Sequence, residues 1–309
     1  GRPLDPLLIA AEKARSLKKG GLLEIVDTPA SLAEVGGIAA LKAWILRRSK
    51  AFSPEAAAFG LPVPHGILLL GIPGTGKSLT ARAVASALGK PLLRLDAGRL
   101  FAGVVGESEA NLRRALAMAE AAAPCILMVD ELEKGLSGSR SSGATDGGTA
   151  ARVFGTFLTW LQEKESPVFV VATANDISQL PPELLRKGRI DEIFFLDLPG
   201  EAERAEIWRI HIARRRRDPE AFDLAPLVRH SDGFTGSEIE QAFVDALYAA
   251  YDAGREVCQE DVCEALKRTV PLSVTMAEDI RALRQWAAKR TRSASAEPVE
   301  VPAARRIAA

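Results

Sequence analysis

Eight residues carry the first chemical signal. Gly71-Ile72-Pro73-Gly74-Thr75-Gly76-Lys77-Ser78 has glycines spaced so that backbone N–H groups can turn inward together. Such a concave row of donors binds phosphate oxygens. Lys77 adds a cation for the terminal phosphates, and the Ser78 hydroxyl is a ligand for a hard divalent cation. The octet follows an apolar run at 66–70 and opens a helical pattern at 77–88, so a helix N-terminus adds its positive dipole end. Thr75, Gly76 and Leu79 complete the expected contacts with a phosphate-bearing ligand.

Hydrolysis needs a second element. About fifty residues further along, Ile126-Leu127-Met128-Val129 is an apolar strand pattern that ends in Asp130-Glu131. A carboxylate at a strand end near a bound phosphate can hold the shell of a Mg²⁺ ion, the role expected of Asp130. The next one can polarise an attacking water as general base, the role expected of Glu131.

The elements that position these groups follow from the pattern. Short apolar runs at 66–70, 91–95, 125–129, 168–172 and 193–196 alternate with helical segments at 77–88, 107–121 and 150–162. This alternation predicts a parallel sheet covered on both faces. After Pro199-Gly200 the pattern becomes all-helical, at 201–213, 224–229, 236–253 and 259–268, with a further helix at 276–289. The expected organisation is an N-terminal helix and linker over 1–30 and an α/β domain over 31–199. A helical lid over 200–271, a C-terminal helix over 272–290 and a disordered tail over 291–309 complete it.

Composition narrows the class. The chain has 309 residues, a formal net charge of +0 and 47% hydrophobic residues, enough for about two domains and a sizeable core. Neutrality disfavours a general nucleic-acid binder. No apolar run approaches the ~20 residues of a membrane helix. Cys125, Cys258 and Cys263 lack CxxC spacing, which fits a reducing compartment. Among His65, His211 and His230 there is no HExxH zinc motif.

On these motifs the chain resembles the AAA branch of the AAA+ ring ATPases over about residues 32–270. The resemblance implies the P-loop NTPase fold, a parallel sheet sandwiched by helices, followed by a small all-helical AAA+ lid. It also implies ATP and Mg²⁺ as ligands and a ring oligomer, expected to be a hexamer. Phe169-Val170-Val171-Ala172-Thr173-Ala174-Asn175 resembles the sensor-one strand, which implies that Asn175 contacts the attacking water. Leu184-Leu185-Arg186-Lys187-Gly188-Arg189-Ile190-Asp191 resembles the family segment whose two arginines reach the neighbouring subunit's nucleotide. Arg186 and Arg189 are thus candidate arginine fingers. Glu34-Val35-Gly36-Gly37 resembles the segment that packs on adenine. Ile207 and His211 resemble lid residues around adenine and ribose, although a packed lid histidine is the alternative for His211. Gly233-Phe234-Thr235-Gly236-Ser237-Glu238 resembles the start of the sensor-two helix without its arginine, and Gly236 and Ser237 are expected at the nucleotide.

The strings at 58–66, 153–161 and 180–189 are closer still to the hypothetical chloroplast reading frame forty-six family of AAA proteins. Members usually carry a further N-terminal domain, and the chain does not begin with Met. The expectation is that this is the motor portion of a longer protein, acting in the bacterial cytoplasm or a plastid stroma.

The chain departs from threading motors at Ala102-Gly103-Val104-Val105-Gly106-Glu107-Ser108, where Val104 takes the place of a pore aromatic. A Ser/Gly-rich loop at 137–148 falls where a second pore loop is expected. The run Arg214-Arg215-Arg216-Arg217 reads as a solvated helix end beside the C-terminal dipole. The primary expectation is ATP-driven remodelling of a protein client. The alternatives are an ATP-gated assembly switch with slow turnover and a nucleic-acid motor or clamp-loader-like ATPase.

Overall fold

The computed structural model describes residues 22–26, 30–95, 107–134, 147–176, 180–186 and 188–295. Residues 1–21 of the expected N-terminal helix and linker, the Val104 loop and most of the 137–148 loop lie outside the described residues.

Among the described residues, seven strands form one sheet: β1 Leu23–Ile25, β2 Gly66–Gly71, β3 Leu92–Leu95, β4 Cys125–Val129, β5 Val168–Ala174, β6 Glu192–Leu196 and β7 Arg292–Ser293. Their order is β1-β3-β4-β5-β2-β6-β7, and every pairing except β1 with β3 is parallel. Strands β2, β4 and β5 are buried at every residue. This explains why they read as continuous apolar runs rather than alternating ones.

The two faces of the sheet feed separate cores. Leu68, Leu70, Leu127, Val129, Val170 and Ala172 point to one face, under helices α4 Glu107–Ala121 and α5 Gly147–Glu163. Ile67, Leu69, Ile126, Met128, Phe169 and Val171 point to the other, under α1 Ala39–Arg48 and α3 Lys77–Ala87. A short helix, α2 Pro54–Ala58, is capped by the Ser53 hydroxyl and leads towards β2.

A third core belongs to the helical part, α6 Glu201–Arg214, α7 Leu224–His230, α8 Gly236–Asp252 and α9 Gln259–Arg268. Trp208 and Phe243 are fully buried at its centre, and the Trp208 indole donates to Ser231 Oγ at 3.1 Å. The chain then continues through α10 Leu272–Thr275 and α11 Ala277–Ala287 back to the sheet.

Two strands differ from the sequence reading. β1 falls in the stretch expected to be helix and linker. Three residues are too few to show a period, and their order comes from pairing antiparallel to β3. β7 falls in the expected disordered tail. Arg292 and Ser293 are exposed and polar, so nothing apolar announces them. They pair with β6, Ala294 N donates to Phe195 O at 2.9 Å, and the Ala294 side chain is fully buried.

One of the buried cations lies at the C-terminal end of α5. Lys164 is 8% exposed there, beside a groove lined by Glu120 and Trp160. Burial pushes its amine down from 10.5 to about 8, against the pull of Asp191 and Glu120. Between those two values the unfolded chain binds a proton that the folded chain does not, so stability rises with pH across that window. Urea unfolding at pH 7.5 and 9.5 should show wild type gaining on the order of 2 kcal/mol relative to Lys164→Met.

Candidate functional site

β2 runs straight into the glycine-rich loop. Gly74 and Gly76 adopt φ of 81° and 84°, the left-handed region that glycine enters without strain. α3 begins at Lys77 with no side-chain cap, which leaves its first N–H groups directed at the cleft. Lys77 is 7% exposed, and its ammonium donates to Gly71 O at 2.9 Å and Ile72 O at 2.8 Å. Burial lowers its pKa to about 8, opposed by Glu133, Asp130 and Glu131.

The carboxylates arrive from two strands away, with β5 between. Ser78 Oγ lies 3.1 and 3.2 Å from the two oxygens of Asp130. Thr173 on β5 ties this pair together. Its hydroxyl donates to Asp130 Oδ1 at 2.6 Å and accepts from Glu131 N at 2.9 Å. Glu131 has φ of 50°, a rare conformation for a side chain of this size. One of its oxygens accepts from Asn175 Nδ2 at 3.4 Å, and the other pairs with Lys134 at 2.6 Å.

The helical part closes the other side. A Cβ placed on Gly36 would lie 2.5 Å from Ile207 Cγ1, so only glycine allows this approach. Gly37 N donates to Glu206 Oε2 at 2.7 Å and Ile38 N to Glu203 Oε1 at 3.2 Å. At the start of α8, the Ser237 amide and hydroxyl both donate to Gly74 O, at 3.1 and 3.2 Å. The His211 imidazole is largely buried, and burial lowers its pKa. Among the described residues its Nδ1 has no hydrogen-bond partner, and it stands 3.8 Å from Glu240 Oε1.

The result is a cleft of about 660 Å³ between the sheet and the helical part. Val35, Gly36, Gly74, Thr75, Gly76, Lys77, Ser78, Leu79, Asp130, Glu131, Asn175, Ile207, His211, Gly236 and Ser237 all line it. So do Thr173, Arg82, Arg214 and Glu240, which the sequence reading did not assign. Helical spacing held a signal for three of these. Arg82 is four residues after Ser78, Arg214 three after His211, and Glu240 four after Gly236. Two others of the arginine run are paired: Arg215 with Glu240 at 3.0 Å and Arg217 with Glu256 at 2.8 Å.

Arg186 and Arg189 are elsewhere. Their segment leads to Asp191, which accepts from His65 N and Gly66 N where β2 begins. The loop at Gly71 lies beyond the other end of that strand, five steps or roughly 17 Å away. Arg189 is held there by Glu183 O and by Gln162 Oε1, and Arg186 is exposed.

With this geometry in place, the relatives can be compared. Residues 67–198 match the model of the ATPase family associated with various cellular activities. The chain carries an AAA domain. It is 48% identical to the uncharacterized AAA domain-containing protein ycf46 of Pyropia yezoensis, over 93% of this chain and 58% of that protein. It is 46% identical to the protein of the same description from Guillardia theta, over 91% of this chain and 55% of the relative. The ATP-dependent zinc metalloprotease FtsH 1 of Symbiobacterium thermophilum is 34% identical, over 89% of this chain and 48% of that protein. The chain thus spans a little over half the length of the two curated relatives named first. No helix among the described residues is long and apolar enough to cross a membrane.

The Thr173 hydroxyl is the joint of the AAA domain's acidic corner. Thr173→Val keeps the shape but leaves the part-buried Glu131 amide without its acceptor and removes one of the two donors to Asp130 Oδ1. It should lower the unfolding free energy measured in urea by about 1–3 kcal/mol, and Thr173→Ser should recover most of that loss.

Proposed function

We propose that the cleft binds ATP with Mg²⁺ and hydrolyses it, and that a ring of these subunits uses the cycle to remodel a protein client. One observation carries the reading: Lys77, Ser78, Asp130, Glu131 and Asn175 converge on one cleft from three neighbouring elements. The donor set fits the ligands. Ser78 and Asp130 offer only hard oxygen atoms, suited to Mg²⁺. The glycine loop and the open start of α3 offer N–H donors to phosphate.

Each residue then has a task. Lys77 now spends its protons on Gly71 O and Ile72 O, and a bound phosphate would compete for them. Val35, Gly36, Ile207 and His211 enclose the base and ribose, with Leu79, Gly236 and Ser237 beside the phosphates. When bound, Mg²⁺ neutralises charge that develops on the phosphate oxygens. Glu131 takes the proton of the attacking water, and Asn175, 3.4 Å from that carboxylate, orients the same water.

Arg186 and Arg189 cannot serve their own cleft from the far end of β2. They serve the cleft of a second copy. That contact is head-to-tail, and a head-to-tail contact that closes makes a ring; the family resemblance makes the hexamer the expected size. The ATP-dependent FtsH 1 is a relative compatible with this reading. A slow ATP-gated assembly switch is the second reading, favoured by Val104 in place of a gripping aromatic.

Glu131→Gln should lower ATP turnover by roughly 10²–10⁴-fold without loss of nucleotide binding. Full turnover in that variant would remove Glu131 as the base. Lys77→Ala and the double variant Arg186→Ala/Arg189→Ala should each be inactive alone. Mixed, they should regain part of the activity, because some shared sites then combine an intact Lys77 with intact arginines. No recovery on mixing would sink the shared site. A client that raises turnover several-fold supports remodelling over the slow switch.

A further inference from the structure

Glu133 is a third carboxylate beside Asp130 and Glu131, and nothing in the hydrolytic scheme uses it. It is 7% exposed. Its Oε1 accepts from Asn175 N at 2.9 Å, while its Oε2 is buried and has no hydrogen-bond partner among the described residues. Burial pushes its carboxyl above the usual range, and the neighbouring Glu131 pushes the same way. A buried acid with half its acceptor capacity unused costs stability. An apolar residue would fill the position more cheaply, so packing does not account for it.

The register shows what it does. β4 pairs with β5 as far as Val129 opposite Ala172. Beyond that, the chain leaves the ladder at Glu131, whose φ is positive. Glu131 N then bonds the Thr173 hydroxyl, and Leu132 N bonds Thr173 O at 2.9 Å. Two residues after Thr173, just past the end of β5, the acceptor for Asn175 N is the Glu133 carboxylate. A side chain thus extends the ladder by one rung, and that rung fixes the residue whose amide reaches Glu131 Oε1.

We infer that Glu133 is a positioning residue for hydrolysis: it holds the Asn175 main chain so that the Asn175 amide and the Glu131 carboxylate face one point of the cleft. This rests on the hydrolytic reading of the cleft. Three variants test it, Glu133→Gln, Glu133→Ala and Glu133→Asp, each assayed for kcat, KM, affinity for a fluorescent ATP analogue and cooperative thermal unfolding. Glutamine keeps an oxygen for Asn175 N and should retain most of kcat. Alanine removes the acceptor and aspartate withdraws it by one methylene. Both should lower kcat roughly 10–100-fold, the size of effect that a small misplacement carries. KM and affinity should stay within about twofold, as for an interaction expressed only in the transition state.

Wild-type kcat in the aspartate and alanine variants overturns the inference. So does a parallel fall in affinity and kcat, or a glutamine variant as slow as alanine. If alanine does not fold, aspartate against glutamine decides the matter alone. A wild-type protein that binds ATP without turning it over removes the hydrolytic reading itself, an outcome distinct from all of these.

Discussion

A single hydroxyl joins the two halves of the site. The glycine loop leaves the sheet from β2 and the carboxylates leave it from β4, but these strands are not neighbours. β5 separates them, which sets their ends roughly 10 Å apart. Thr173, on that middle strand, donates to Asp130 and receives Glu131 N. Asp130 in turn meets Ser78 across the gap. The arrangement works only in one register, and a one-residue slip of β5 would turn Thr173 and Asn175 away together. Continuous burial of β2, β4 and β5 on both faces makes such a slip costly, so the core enforces the geometry of the corner.

The second constraint is closeness. Gly36 lets Ile207 approach where any side chain would collide, and Gly74 sits under Thr235 in the same way, with Thr235 Oγ1 2.8 Å from where a Cβ would be. Hydrogen bonds tie the helical part to the sheet domain here: Gly37 N and the Lys42 ammonium to Glu206, Ile38 N to Glu203, and two from Ser237 to Gly74 O. All but the Lys42 bond end on the main chain of the sheet domain.

The sequence made much of this legible, because some residues announce their roles locally. Gly71 to Ser78 is a contiguous string, and Asp130-Glu131 ends an apolar run whose burial is written in its composition. Thr173 and Glu133 are different. Each takes its role from the residue across the ladder, and pairing register is not visible in a single strand. Glu133 reads as an ordinary surface acid until Asn175 is placed beside it. β1 and β7 escaped for a related reason. They are two or three residues long, and their order is conferred by β3 and β6 rather than by their own pattern. Arg186 and Arg189 were found through family resemblance, and their distance from the cleft is a property of the fold alone.

β7 also changes what kind of object the helical part is. The chain enters it from the end of β6 and returns to that same strand: Arg284 grips Asp197 with bonds of 2.9 Å, β7 pairs with β6, and Ala294 sits in the core against α1. The unit is a closed loop sewn twice to one edge of the sheet, rather than a flap on a tether. Both attachments fall at β6, the strand that lies against β2 and its glycine loop, so the helical part and the glycine loop share a common support.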